Sequence, residues 1–140
     1  MTEKTEPKIV LIIEDDFDVL KFVSRVLELE GYQVLTASCY DSGMEMIRES
    51  TIDLVLLDLI LPGRDGWSIL QEMKSAPDFS SIPVVVLTAI AELQQRKRTL
   101  RMGATDYLIK PLSAKKLKNT VSSVLRQQQT LPKSANIINL

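Results

Sequence analysis

Five short apolar runs recur along the chain, each followed by residues at helical spacing, and this alternation restricts the fold more than any other feature. The runs cover residues 8–13, 32–37, 53–57, 83–87 and 106–109. The first is aliphatic throughout after its lysine and reads as a strand buried on two faces, and the third is the most apolar in the chain. The run at 32–37 alternates more, which predicts a strand nearer an edge. In the fourth run the proline comes first, where no ladder donor is lost. Between the runs, Val19, Leu20, Val23, Val26 and Leu27 fall on one helical face that Gly31 terminates. Asp41 is predicted to cap a helix burying Met44 and Ile47. The turn Leu61-Pro62-Gly63-Arg64-Asp65-Gly66 precedes a helix whose core side carries Trp67, Leu70 and Met73. A fourth helix passes through Leu93, Lys97 and Leu100 and ends at Gly103. Ser113 opens a fifth, which buries Leu117, Val121, Val124 and Leu125.

Strand followed by helix five times predicts an α/β chain, a single-domain doubly wound (βα)5 sandwich with a five-stranded parallel sheet. A length of 140 residues suits one core. The expected partition is an N-terminal tail at 1–7, the domain at 8–126, and a C-terminal tail or linker start at 127–140.

Composition removes whole classes of chemistry. The chain has no His and one cysteine, Cys39. Imidazole catalysis, His-ligated metals, intrachain disulfides and CxxC pairs are thereby excluded. Carboxylates, hydroxyls, lysines and the backbone must do the work. The lone thiol and the absence of a signal-peptide pattern or a long apolar stretch lead us to expect a cytoplasmic protein with no membrane partner. Charge is distributed unevenly: residues 1–91 hold 7 basic and 16 acidic side chains, residues 92–140 hold 10 and 2. The basic stretch reads first as a solvated helical face and second as a partner surface. Direct nucleic-acid binding is not expected, because no aromatics interleave the basic residues.

Ligands of open parallel sheets bind beyond the carboxyl ends of the strands. Those ends carry Glu14-Asp15-Asp16, Asp58, Thr88 and Lys110-Pro111. Each has an ordinary structural explanation: helix capping, a turn, a cap, a solvated strand end. Capping needs only one of the three acids at 14–16, however, and jointly the polar breaks in apolar runs point to a site. Convergence of Glu14, Asp15 and Asp58 would need a cation to offset their repulsion. An all-oxygen donor set selects a hard ion, Mg2+ or alternatively Mn2+. Beside such an ion, Asp58 would be the in-line nucleophile of a phosphoryl transfer, with Thr88 and Lys110 on the equatorial oxygens. No phosphate-cradling Gly-rich loop is present, so a nucleotide is not expected.

The ordered set Glu14-Asp15, Asp58 with Leu61-Pro62-Gly63-x-Asp65-Gly66, Leu87-Thr88-Ala89, and Gly103-Ala104-x-Asp106-Tyr107-x-x-Lys110-Pro111 closely resembles the receiver (CheY-like) domain of two-component response regulators, over about residues 7 to 126. The resemblance implies the flavodoxin-like strand order 2-1-3-4-5. It implies that Asp58 is the phosphoacceptor, fed by a histidine kinase or a histidine phosphotransfer protein. Asp15 would ligate the metal directly and Glu14 through water, with the backbone carbonyl of Ile60 completing the set. Thr88 and Lys110 would bind the phosphoryl group. Thr88 and Tyr107 would form the switch, and the Lys110–Pro111 bond would be cis. Without the resemblance, Tyr107 reads as a half-buried aromatic on an edge strand with a wet hydroxyl.

Two departures stand out. The positions flanking the phosphoryl group, two after Asp58 and two after Thr88, are the aliphatic Ile60 and Ile90, which suggests exclusion of water and slow self-hydrolysis. After the fifth helix only a short tail follows, so output would pass through a downstream protein or an output domain outside this sequence. A homodimer through the fourth helix, fifth strand and fifth helix is a further implied association. The resemblance implies a signalling module rather than a turnover enzyme. Two other readings compete: a phosphorylation-independent scaffold of the same fold, and a haloacid-dehalogenase-like phosphohydrolase using Asp16-Phe17-Asp18.

Overall fold

The computed structural model describes residues 6–130. Five strands, β1 (Ile9–Ile13), β2 (Gln33–Ala37), β3 (Leu54–Leu57), β4 (Val84–Thr88) and β5 (Asp106–Ile109), alternate with five helices. The helices are α1 (Phe17–Leu29), α2 (Tyr40–Glu49), α3 (Gly66–Ser75), α4 (Leu93–Arg101) and α5 (Ala114–Thr130). All neighbouring strands pair in parallel, in the order β2-β1-β3-β4-β5, as the resemblance implied.

Burial follows from the runs. β1, β3 and β4 are central and covered on both sides, so alternate residues enter two separate cores. Leu11, Ile13, Val55, Leu57, Val84 and Val86 pack against Met44 and Ile47 of α2 and Ile69, Leu70 and Met73 of α3. Val10, Ile12, Leu54, Leu56, Val85 and Leu87 pack against Val23 and Leu27 of α1 and Leu117 and Val121 of α5. β2, the alternating run, is an edge strand.

Several local expectations change. Asp41 does not cap α2: Cys39 occupies the cap position without a side-chain capping bond to the helix backbone, and Asp41 lies in the first turn. There an acidic side chain still complements the positive end of the helix dipole. Ser113 does open α5, its hydroxyl accepting from Lys116 N at 3.1 Å. That helix continues to Thr130, past residue 126 where the apolar pattern fades, because backbone hydrogen bonding does not require a buried face. Residues 1–5 and 131–140 of the expected tails lie outside the described residues. Trp67 sits at the margin of the core rather than within it, its indole Nε1 donating to Thr99 Oγ1 at 2.9 Å while Arg98 lies over the ring. The polar N–H explains this placement, since a buried indole needs an acceptor. In α4 the residue that turns inward is Thr99, while Leu93 and Leu100 stay exposed.

Candidate functional site

Parallel pairing brings the strand ends to one edge of the sheet, and register sets which residues meet. Ile13 pairs with Leu57 and Thr88 with Ile109. The next residues along, Glu14, Asp58 and Lys110, therefore emerge together beside Thr88. The backbone carries the arrangement one step further: Glu14 N donates to Ala37 O, Asp58 N to Ile13 O and Lys110 N to Thr88 O, at 2.9–3.0 Å.

The three acids after β1 have separate tasks. Asp16 is the N-cap of α1, its Oδ1 accepting from Asp18 N at 2.9 Å and Val19 N at 3.3 Å. Glu14 turns inward, 2 % exposed, with Oε2 accepting from Asp16 N at 3.1 Å. Asp15 is exposed at the mouth. Carboxylate oxygens of Glu14, Asp15 and Asp58 all lie within 4.8 Å of one another. Asp16 and Asp18, the pair on which the phosphohydrolase reading rests, are occupied by the start of α1 and stand outside this cluster.

Asp58 is 5 % exposed. Its Oδ1 accepts from Ile60 N at 3.1 Å and its Oδ2 from Lys110 Nζ at 2.8 Å. Lys110 Nζ also lies 2.5 Å from Glu14 Oε1, so one ammonium bridges two buried carboxylates. Burial raises the Glu14 pKa, outweighing the opposing effects of the Lys110 and Asp16 hydrogen bonds, while the nearby Asp58 charge adds to the rise. Burial would lower the Lys110 pKa, but hydrogen bonds to Asp58 and Glu14 reverse this and hold the ammonium charged. The Lys110–Pro111 bond is cis.

Oxygen is the sole donor element of this acidic cluster, and its carboxylates are close enough to share an ion. The donor set therefore fits Mg2+ or Mn2+ and disfavours softer metals.

Thr88 is fully buried, and α4 begins only at Leu93, so Thr88 is not a helix cap. Its Oγ1 accepts a long bond, 3.5 Å, from Ile90 N. Tyr107 is buried, not half-wet, and its hydroxyl donates to Ile90 O at 2.7 Å. Desolvation by burial raises the phenol pKa, which keeps it a neutral donor. Ile90 thus has its N–H on one expected switch residue and its carbonyl on the other, a backbone role its aliphatic side chain gives no hint of. Ile60 presents its side chain to solvent, 55 % exposed.

Two supports were not legible beforehand. Gly66, at the start of α3, packs against the backbone of Asp58: a Cβ there would lie 2.2 Å from Asp58 O and 2.8 Å from Leu59 Cα. Its position in the turn motif was the available signal. The same turn is tied outward by Arg64, whose guanidinium stacks 3.8 Å from the centre of the Tyr40 ring. The Tyr40 hydroxyl in turn donates to Glu72. A shallow apolar groove lined by Val19, Phe22, Pro111 and Leu112 borders Lys110 on the α1 side.

Comparison with known proteins is consistent with this geometry. Residues 10–122 match the family model described as the response regulator receiver domain. The chain is 39 % identical over 118 residues to the phosphate regulon transcriptional regulatory protein PhoB of Escherichia coli, covering 84 % of this chain and 52 % of that protein. It spans about half the length of the curated relatives it matches. Its fold superposes on a CheY-like response regulator receiver domain protein from Methanospirillum hungatei with a TM-score of 0.84, at 27 % identity, covering 90 % of this chain and 99 % of that one. The Mn2+-bound form of response regulator Rcp1 aligns with a TM-score of 0.74 at 27 % identity, covering 90 % and 98 % of the two chains. With 113 consecutive residues under one family model and the strand order in agreement, the chain belongs to the response regulator receiver domains of two-component systems.

Proposed function

We propose that Asp58 accepts a phosphoryl group from a phosphohistidine of a histidine kinase or histidine phosphotransfer protein, and that this controls the surface around Thr88 and Tyr107. The observation that carries the reading is the convergence of Asp58 with Lys110 and two further carboxylates at the sheet edge. In the transfer a carboxylate oxygen of Asp58 forms the new O–P bond as the P–N bond to the donor imidazole breaks. The product is an acyl phosphate. Lys110, already charged and 2.8 Å from Asp58, pairs with a phosphoryl oxygen, and Thr88 Oγ1, released from its long bond to Ile90 N, donates to another. Asp15, Glu14, Asp58 and the Ile60 carbonyl would hold Mg2+ or Mn2+. Such an ion neutralises charge on the transferring group. The apolar groove beside α1, whose lining Phe22 is exposed, suits docking of the phosphodonor next to Lys110. The module catalyses only its own phosphorylation and slow dephosphorylation.

Tyr107 and Ile90 couple site to surface. A Thr88 hydroxyl turned to phosphate no longer faces Ile90 N, and the segment leading into α4 then needs to bias a two-state equilibrium by only a few kcal/mol.

Incubation with acetyl phosphate and Mg2+ is expected to add the mass of one phosphoryl group. The adduct should be absent in Asp58→Asn and without divalent metal. A phosphoryl-sized adduct that persists in Asp58→Asn would remove Asp58 as acceptor, and no adduct at all would favour the scaffold reading.

Ile60 and Ile90 bear on lifetime. Neither side chain can orient an attacking water, so the acyl phosphate is expected to persist. Replacing both with polar residues, Ile60→Asn with Ile90→Glu, should shorten its half-life about tenfold, followed as phosphate release. An unchanged half-life would reduce both residues to packing.

A further inference from the structure

We propose that Arg64 is a positioning residue for the divalent ion beside Asp58, acting through the ring of Tyr40. This rests on the proposed function, which gives the Ile60 carbonyl to the ion. The segment between β3 and α3 sends Leu59 and Leu61 into the core and then runs along the surface: Pro62, Gly63, Arg64 and Asp65 are all exposed. Gly66 closes it, donating its N–H to Leu59 O at 2.9 Å. The two leucines fix where the backbone sits. The direction of the carbonyl between them depends on the path the chain takes next, and that path is held at Arg64. Gly63, with φ at +79°, supplies the bend immediately before it.

The contacts of Arg64 are unequal. Its guanidinium lies 3.8 Å from the centre of the Tyr40 ring, and Tyr40, the first residue of α2, is 8 % exposed. A cation over a buried ring is partly desolvated, which strengthens the attraction. The ion pair with Glu72, at 3.7 Å, joins two side chains that are each more than a third exposed, so solvent screens it. Tyr40 is fixed at its far end by the bond from its hydroxyl to Glu72 of α3. Stacking therefore ties the turn to α2, and through Glu72 to α3. Arg48 also pairs with Glu72, at 3.9 Å, but belongs to α2 and not to the turn. Asp58 is held independently, by Ile13 O at its N–H and by Lys110 and Ile60 N at its carboxylate. Loss of Arg64 thus loosens the segment after Asp58 while leaving the acceptor in place.

The test is a Mg2+ titration of the whole 15N-labelled chain, followed at the amides of residues 58–61. Arg64→Ala is expected to raise the dissociation constant about threefold, and Arg64→Lys by less, since an ammonium keeps part of the stack. Charge alone predicts the opposite sign, because removing one cation favours binding of another. Arg48→Ala, the charge control, should leave the constant unchanged or lower it. In Tyr40→Leu, which lacks the ring, adding Arg64→Ala should have no further effect. Acetyl-phosphate labelling of Arg64→Ala should need about threefold more Mg2+ for its half-maximal rate, with the rate at saturating Mg2+ within about twofold of wild type. Unchanged or tighter Mg2+ binding in Arg64→Ala, an equal loss in Arg48→Ala, or the same loss in the Tyr40→Leu background would overturn the inference and leave Asp58 as acceptor. A wild-type chain that takes up no Mg2+ would overturn the metal reading and this inference together.

Discussion

Lys110→Ala is expected to lower the unfolding free energy of the metal-free protein by about 3–5 kcal/mol, the range seen when one member of a buried ion pair is removed. The reason lies in the bridge. One ammonium sits between Glu14 and Asp58, both nearly inaccessible to water, and no other cation contacts either carboxylate among the described residues. Without it, two buried carboxylates face each other unpaired. Urea unfolding should show the loss, and Mg2+ in the millimolar range should recover more stability in Lys110→Ala than in the wild type, because the ion would replace the missing charge. The same variant should accept phosphate from acetyl phosphate far more slowly. A loss below about 1 kcal/mol would mean that the pair behaves as a solvated surface bridge.

The second large effect is steric. Gly66→Ala should destabilise the fold by about 3 kcal/mol and impair phosphoryl acceptance by Asp58. The added methyl would meet backbone atoms, Asp58 O, Asp58 C and Leu59 Cα, all at 3.0 Å or less, and backbone cannot rotate aside as a side-chain tip can. Relief must come from moving α3 or the segment that carries Asp58. Gly63→Ala is the control: nothing lies within 4 Å of its Cβ, but its φ of +79° penalises any L residue. That variant should cost about 1 kcal/mol and leave labelling of Asp58 nearly unchanged. Equal effects on labelling in the two variants would show that the turn, not the contact with Asp58, matters.

Local regularities carried much of the reading. The two-sided apolar runs at β1, β3 and β4 announce central parallel strands because a βα repeat covers both faces of the sheet, and only continuous aliphatic sequence tolerates that. Polar residues at the ends of such runs are conspicuous for the same reason, which is why Glu14, Asp58, Thr88 and Lys110 could be named before any geometry. α4 is where spacing says least: Leu93 and Leu100 have core-like spacing yet are exposed, and the helix is anchored by a threonine hydroxyl paired with an indole. A pattern of apolar residues cannot register a polar contact made across two helices. Asp41 misled in a smaller way, since an acid two positions into a helix and an acid at its cap look alike in one dimension.

What the amino-acid order determined alone was periodicity, and with it the strands, the helices and the edge of the sheet where chemistry could gather. Only the tertiary structure decided the division of labour there: Asp16 capping α1, Glu14 turned inward onto Lys110, Asp15 left at the mouth, and Ile90 joined by its backbone to Thr88 and Tyr107. Periodicity arises from contacts a few residues apart. A bridge from Lys110 to Asp58 spans 52 residues of chain, and it exists because sheet order and register bring the ends of β3 and β5 within one side chain's reach.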